Sequence, residues 1–329
     1  MLEIRLIPEN ELQRVREATI DKHTRLALLS DMCSANTLAT VKRAGSGHLG
    51  SSFSSLDIVT YLYHYEMNVA ELGVNHPDRD IYFSSKGHDV PGHYAVLHSL
   101  GLLSEERFQH LRRHDGTHGH PDVSIAGIEA NSGSLGMGIS KAKGMALAKK
   151  MSGAKGRVMV MTGDGELQEG QIWESLQTAA FQKVNNLIAI VDFNKIQTDK
   201  SVKDIIDLGD LTRKFEVFGW HAETCNGHDF AELENAFTRL KQIDDRPKAL
   251  IADTIKGKGV SFMEGPRAML DGNGLYPWHS GAPDDDTFEA GYAEIINRIN
   301  AQLQGLDLEQ LKTKVMATRE RNLVTLKDT

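Results

Sequence analysis

The chain has 329 residues, enough for a complete hydrophobic core and near the upper size of a single domain. Acidic residues outnumber basic ones by 45 to 37, a formal charge of −8, which leaves no electrostatic footprint for nucleic acid and reads as solubility. Cys33 and Cys225 are too few for a disulfide framework, no stretch approaches the roughly 20 apolar residues of a membrane span, and the start shows no basic-then-apolar secretory signal. The expectation is a cytoplasmic protein with neither a nucleic-acid nor a membrane partner.

In chain order, residues 9 to 44 read as helix, because Leu12, Val15, Ile20, Leu26, Leu29, Met32 and Leu38 recur at near-helical intervals; Gly45-Ser-Gly-His48 stops it. A helix from Leu56 to Tyr65 precedes a first strand, Arg79 to Ser85, which leads into a loop carrying His88. Helices near 92 to 101 and 104 to 114 follow, then an irregular segment from Asp115 to Gly133, dense in Gly, His and Asp, where function tends to sit. Gly136 to Met151 reads as a helix opening on a glycine turn whose free N–H groups can face a ligand. The runs Arg157 to Thr162 and Leu187 to Val191 are strands joined by a helix from Gly170 to Val184. A helix near 207 to 216, a strand at Trp220 to Thr224, a helix from Phe230 to Ile243 and a strand from Lys248 to Thr254 complete the expected fold: α/β, a doubly wound, mainly parallel sheet with flanking helices. Phe262 to Asp286 is irregular and long enough to be a functional or partner-binding loop. Amphipathic helices through Phe288, Ile295 and Ile299, and through Leu308, Leu311 and Val315, close the chain. The division expected is 1–283 as the main domain and 284–329 as a C-terminal helical extension.

The most informative motif is Gly163-Asp164-Gly165, read together with Asn194 at the end of the next strand. Strands joined by a crossover helix point the same way, so Asp164 and Asn194 emerge side by side at the carboxyl edge, where α/β sheets bind ligands. A carboxylate, the amide oxygen of Asn194 and the backbone carbonyl of Ile196 are hard oxygen donors of the kind Mg²⁺ takes, leaving positions for two diphosphate oxygens and a water. A dinucleotide fold is disfavoured, since Gly163-x-Gly165-x-x-x-x-Gly170 misses the G-x-G-x-x-G spacing and a bare Asp would oppose pyrophosphate. A rival from another class is His118-Gly-His120-Pro-Asp122, whose HxHxD spacing suits a Zn²⁺ hydrolase, although no second ligand cluster follows it.

Gly163-Asp-Gly-Glu-Leu-Gln-Glu-Gly170 and Asn186 to Asn194 resemble the thiamine-diphosphate signature of transketolases. Ser46-Gly-His48-Leu-Gly50, Ser85-Lys-Gly-His88, Gly119-His120-Pro121, Gly133-Ser-Leu-Gly136 and Lys256-Gly-Lys-Gly259 recur in that family in this order. The resemblance implies the diphosphate-binding (PP) domain, with thiamine diphosphate and Mg²⁺ (or Ca²⁺ or Mn²⁺ in its place) as cofactors. It places Asp164, Asn194 and Ile196 on the metal, and Ser51, His88, Gly133, Ser134, Leu135, Gly163, Gly165, Glu169, Asn194, Lys256 and His279 on the coenzyme. His120, His48 and His279 become the catalytic histidines, and Glu169 matches an acidic position near the family's dimer interface. Met137 and Ser132 depart from the usual family residues, and the chain between Lys256 and His279 is longer than usual.

Complete transketolases run to about twice this length, and after Thr254 no further α/β unit follows that could supply the pyrimidine-binding and C-terminal domains. The resemblance therefore implies the N-terminal subunit of a split enzyme, active with a complementary C-terminal subunit in an α₂β₂ assembly. Together they would transfer a two-carbon ketol unit from a ketose donor to an aldose acceptor. The alternatives are a deoxyxylulose phosphate synthase, a dehydrogenase E1 subunit or a non-catalytic binding subunit.

Overall fold

The computed structural model describes residues 2–316. Its frame is a five-stranded sheet of β1 (Ile81–Ser84), β2 (Val158–Gly163), β3 (Leu187–Phe193), β4 (His221–Asn226) and β5 (Lys248–Asp253). The strands run parallel in the order β1-β2-β3-β5-β4. The longer helices are α1 (Lys22–Ala44), α2 (Leu49–Tyr61), α3 (Val90–Ser99), α4 (Gly138–Ser152), α5 (Gly170–Phe181), α6 (Phe230–Lys241) and α7 (Asp285–Gly305).

Apolar runs such as Leu187-Ile-Ala-Ile-Val191 make strands buried on both faces, as a parallel sheet under two helical layers requires. Alternate side chains divide between the layers. Met159, Met161, Ile188, Ile190 and Leu250 join a core with residues of α1, α2, α3, α6 and α7. Val158, Val160, Leu187, Ala189, Val191, Ala249 and Ile251 pack with α4, α5 and the short helix Leu211–Val217 on the other face. The connection from β3 to β4 thus crosses one face, and α6 returns on the opposite face to place β5 between them, as right-handed crossovers demand. The strand order reverses between β3 and β5, where doubly wound sheets bind ligands.

Several elements differ from the sequence expectation. The helix expected over 9 to 44 is two, Glu9–Glu17 and α1, because Asp21 accepts the backbone N–H of Thr24 at 3.0 Å and caps a new start. The helix expected from Leu56 begins directly after His48 and ends in a widened turn at Leu62–Glu66. Helix persists only over Glu105–Gln109 within 104 to 114, and the irregular stretch after Phe262 contains a helix, Gly265–Asp271. Leu308 to Val315 is not helical: Lys314–Val315 pairs antiparallel with Arg5–Leu6. A small hairpin, Ile196–Gln197 with Lys200–Ser201, follows β3. Positions 317–329 of the expected C-terminal extension lie outside the described residues.

Candidate active site

The register of β2 on β3 pairs Gly163 with Asp192 and sets the two strand ends side by side. Asp164 then accepts from the backbone N–H of Gly165 at 2.8 Å and of Lys195 at 2.5 Å, tying the end of β2 to the turn after β3. It is buried, and among the described residues it forms no ion pair. Burial, reinforced by the charge of Asp192, pushes its carboxyl up to about 6. Asn194 donates to Asp192 at 3.0 Å, and its Oδ1 accepts from Ile196 N at 3.1 Å. The carbonyl of Ile196 accepts from the buried ammonium of Lys256 at 3.0 Å.

Beneath these residues lies a buried ion pair, Lys86 of Ser85-Lys-Gly-His88 with Asp192 of the Asn186 to Asn194 run, to which the sequence alone assigned no role. Lys86 donates to Asp192 at 2.6 Å and to Ser51 Oγ at 3.1 Å. Asp192 also accepts from Ser54 at 2.6 Å and from Thr254 Oγ1. Burial alone would raise the Asp192 carboxyl; the Lys86 charge and these hydrogen bonds outweigh it and leave it below the usual range. Glu166 is equally buried and organises the loops: it accepts from Ser85, from Gly136 N at 2.9 Å and from Gly163 N at 3.1 Å. The signal available in the sequence was a charge at the end of an apolar strand, which must find a partner when buried.

Four histidines close over the other end of the site. His48 begins α2 without its imidazole capping the helix. Its ring centroid lies 5.3 Å from His88, 6.2 Å from His120 and 5.2 Å from His279, and His88 and His279 are 5.3 Å apart. His279 arrives because Gly50 N donates to Trp278 O at 3.1 Å and Gly281 N to Gly47 O at 2.9 Å, lacing its loop to the turn before α2. Gly133, at φ +111, lets the His120 ring approach; a Cβ there would stand 2.6 Å from the imidazole. Burial depresses all four, His48 and His279 to about 4 and His88 well below its usual value, so the rings are neutral at pH 7. Arg112, hydrogen-bonded to Ser46 at 2.8 Å, adds to the depression of His48 and His120, and no motif announces it.

The two halves share one cavity of about 250 Å³. His48, Ser51, His88, His120, Gly133, Leu135, Gly163, Asp164, Gly165, Asn194, Ile196, Lys256 and His279 line it. Ser134 and Glu169 do not: Ser134 is exposed in the loop beside it, and Glu169 is exposed at the start of α5, its Cβ against Gly136. Nδ1 of His48 and of His279 are buried without a hydrogen-bond partner, as expected of groups that face a ligand. A larger depression of about 760 Å³ beyond Phe193 gathers no such cluster, and its histidine, His228, is already engaged by Asp57 at 2.7 Å and by Ile255 N at 2.9 Å.

The zinc reading of HxHxD finds no support. His118 and Asp122 stand 4.0 Å apart at the surface while His120 turns into the histidine cluster, and no trio of His, Cys, Asp or Glu gathers in metal-binding geometry among the described residues. Of the histidines without a motif, His93 is buried against Tyr63, His98 stacks on Phe108, His110 pairs with Asp115, and His114 is exposed.

Residues 28–274 match the family model described as transketolase, thiamine diphosphate binding domain. This chain belongs to the transketolase family. It is 38% identical over 251 residues to an apulose-4-phosphate transketolase subunit of Actinobacillus succinogenes, covering 76% of this chain and 87% of the relative. It is 38% identical over 235 residues to the 6-deoxy-6-sulfo-D-fructose transketolase subunit SqwG of a Clostridium strain, covering 70% and 85%. The solved transketolase from Leishmania mexicana overlays with a TM-score of 0.68 at 23% identity, covering 88% of this chain and 47% of that one. The chain thus carries the transketolase α/β fold and spans about half the length of that solved transketolase, whereas it covers most of the two relatives named as subunits.

Proposed function

We propose that this chain is the coenzyme-anchoring half of a split transketolase. With a complementary subunit carrying the pyrimidine-binding and C-terminal domains, in an α₂β₂ assembly, it transfers a two-carbon ketol unit from a ketose to an aldose. The observation that carries this reading is the convergence of Asp164, Asn194 and Ile196 at one end of a cavity whose other end holds four neutral histidines. The names of the two relatives, each a transketolase subunit, support dependence on a partner. Free, buried cysteines favour a reducing compartment such as the cytoplasm, and no helix among the described residues is long and apolar enough to cross a membrane.

The residues present fit the metal and coenzyme. A buried carboxylate with no cationic partner, an amide oxygen and a main-chain carbonyl form the hard-oxygen set that Mg²⁺ takes alongside phosphate oxygens. Asp164, Asn194 and the Ile196 carbonyl would hold the ion; Ser51, Gly165, His88 and Lys256 would meet the diphosphate, with the 133–135 loop alongside. When bound, thiamine diphosphate supplies the carbanion chemistry that breaks and forms the ketose carbon–carbon bond. The chain's own part is placement and proton handling. Each neutral imidazole donates one hydrogen bond and accepts another, which suits sugar hydroxyls and proton exchange at a carbonyl oxygen. His120, at the exposed rim, meets the donor's terminal hydroxyls, and Glu169 faces the subunit interface.

The test mixes the chain with the product of an adjacent reading frame encoding the missing half, thiamine diphosphate, Mg²⁺ and a panel of ketoses including xylulose 5-phosphate. Aldose release, glyceraldehyde 3-phosphate in that case, is expected. Asp164→Ala is expected to weaken coenzyme binding by at least about 100-fold, since even outer-shell metal partners are worth roughly 10–100-fold. Unchanged binding in that variant, or no turnover across the panel, sinks the reading.

A further inference from the structure

Lys256 reaches the cavity on a strap whose anchorage lies partly outside the residues matched by the family model, 28–274. Its ammonium is buried and makes no salt bridge among the described residues; it donates to the carbonyls of Ile196 at 3.0 Å and Thr198 at 3.1 Å. Its carbonyl accepts from Gly265 N at 2.8 Å and its ammonium lies 5.1 Å from the centre of the Tyr276 ring, so the backbone of the strap helps to set how far it extends. Gly257 and Gly259, at φ +80 and +92, leave that backbone without side chains of its own to pin it.

Gly257 N donates to Gly50 O at 2.9 Å and Gly259 N to Glu264 at 3.0 Å, and α7 supplies further pins. Arg298 donates Nη1 to the carbonyl of Gly259 at 2.9 Å, and Nε and Nη2 grip Asp31 of α1 at 2.9 and 2.8 Å. That fork fixes the guanidinium in one orientation. One turn earlier on the same face, Glu294 accepts the backbone N–H and the hydroxyl of Ser261, both at 2.9 Å. Val260 and Met263 of the strap are buried in the same core as Ile295 and Ile299 of α7. At Gly291 the approach is close: a Cβ there would stand 3.3 Å from Phe262 and from Val260.

We infer that Arg298 is a positioning residue: by joining Asp31 on α1 to the Gly259 carbonyl, it holds the strap so that Lys256 reaches the carbonyls of Ile196 and Thr198, and so sets affinity for the diphosphate end of the coenzyme. What the cavity binds rests on the function proposed above; the coupling of Arg298 to Lys256 does not.

The coupling is tested in the full chain without coenzyme. Acetic anhydride labelling, read by mass spectrometry, compares Lys256 with Lys86 and Lys149, two other buried lysines, while the melting temperature reports overall stability. In Arg298→Ala, labelling of Lys256 is expected to rise about fivefold, as local opening of the strap implies, with Lys86 and Lys149 unchanged. Arg298→Lys, which keeps the charge and a donor nitrogen but not the fork, is expected to recover part of the protection. No rise at Lys256, or an equal rise at all three lysines, overturns the inference.

Thiamine diphosphate titration of the two-subunit complex with Mg²⁺, followed by tryptophan fluorescence, then asks whether Arg298 acts through Lys256. Arg298→Ala is expected to weaken binding about tenfold, and the double variant to bind no worse than Lys256→Ala alone; additive losses count against the inference. Should the unaltered complex take up no coenzyme, the proposed function fails while the labelling result still decides the coupling.

Discussion

At the scale of single residues, the Lys86–Asp192 pair decides whether the site can exist. Both side chains are almost wholly buried, 2% and 0% exposed, under the strand ends that carry Asp164 and Asn194. Removing one partner of such a pair strands the other charge, typically at about 3–5 kcal/mol. Lys86→Met is accordingly expected to lower unfolding free energy by about that amount, measured from urea midpoints with an unchanged slope; a loss below about 1 kcal/mol, the worth of a surface pair, would contradict it. The residues legible in the sequence were those marked by glycine, Asp164 between two, His48 and His120 after one and His88 in Ser-Lys-Gly-His, together with Asn194 and Ile196, marked by the end of an apolar strand. Lys86, Glu166 and Asp192 stand inside the quoted motifs, yet their roles, like that of Arg112, were not legible there, because what gives them those roles is largely distant in sequence. Lys86 and Asp192 are 106 positions apart and meet only once the sheet has formed.

Among the elements, α6 shows how caps place the layers. Asp229 accepts from Ala231 N at 2.8 Å and Glu232 N at 3.0 Å, starting the helix so that Leu233, Phe237 and Leu240 face the core. Asp229→Ala is expected to cost about 1 kcal/mol in the same urea measurement, with Asp229→Asn losing far less; equal losses would show that charge rather than capping matters. The parallel strands and α4 to α6 were legible because a run of buried apolar residues, or a 3.6-residue stripe, is a local pattern. The break before α1 was hidden by apolar periodicity that continued through Ile20, although Asp21 had the chemistry of a helix start. Leu308, Leu311 and Val315 have helical spacing, yet the segment is not helical and Lys314–Val315 is drawn into extended pairing with Arg5–Leu6, a tertiary contact that outranks propensity.

For the molecule as a whole, burial of neutral histidines fixes the acid limb of stability. His48, His93 and His279 are pushed to about 4, and His64 to about 3, all chiefly by burial. The unfolded chain protonates them near pH 6.5, so below that value it binds more protons than the folded chain, and stability falls as pH drops from about 6.5 toward 4. Asp164, raised to about 6, runs the other way and offsets part of the loss below that point. A urea midpoint that falls between pH 7 and 5 is expected, and one that stays level would show that the imidazoles are not held neutral.

The sheet order carries a consequence for biosynthesis. β5 pairs with β3 on one side and β4 on the other, yet leaves the ribosome after both. Until then the nascent chain holds two unpaired strand edges facing an unfilled slot, and Lys256 and His279 are still to be translated. A product stopped before Lys248 would bare those edges and be prone to stick to others of its kind, whereas the next few dozen codons supply at once the wedge that seals the sheet and the last side chains of the cavity.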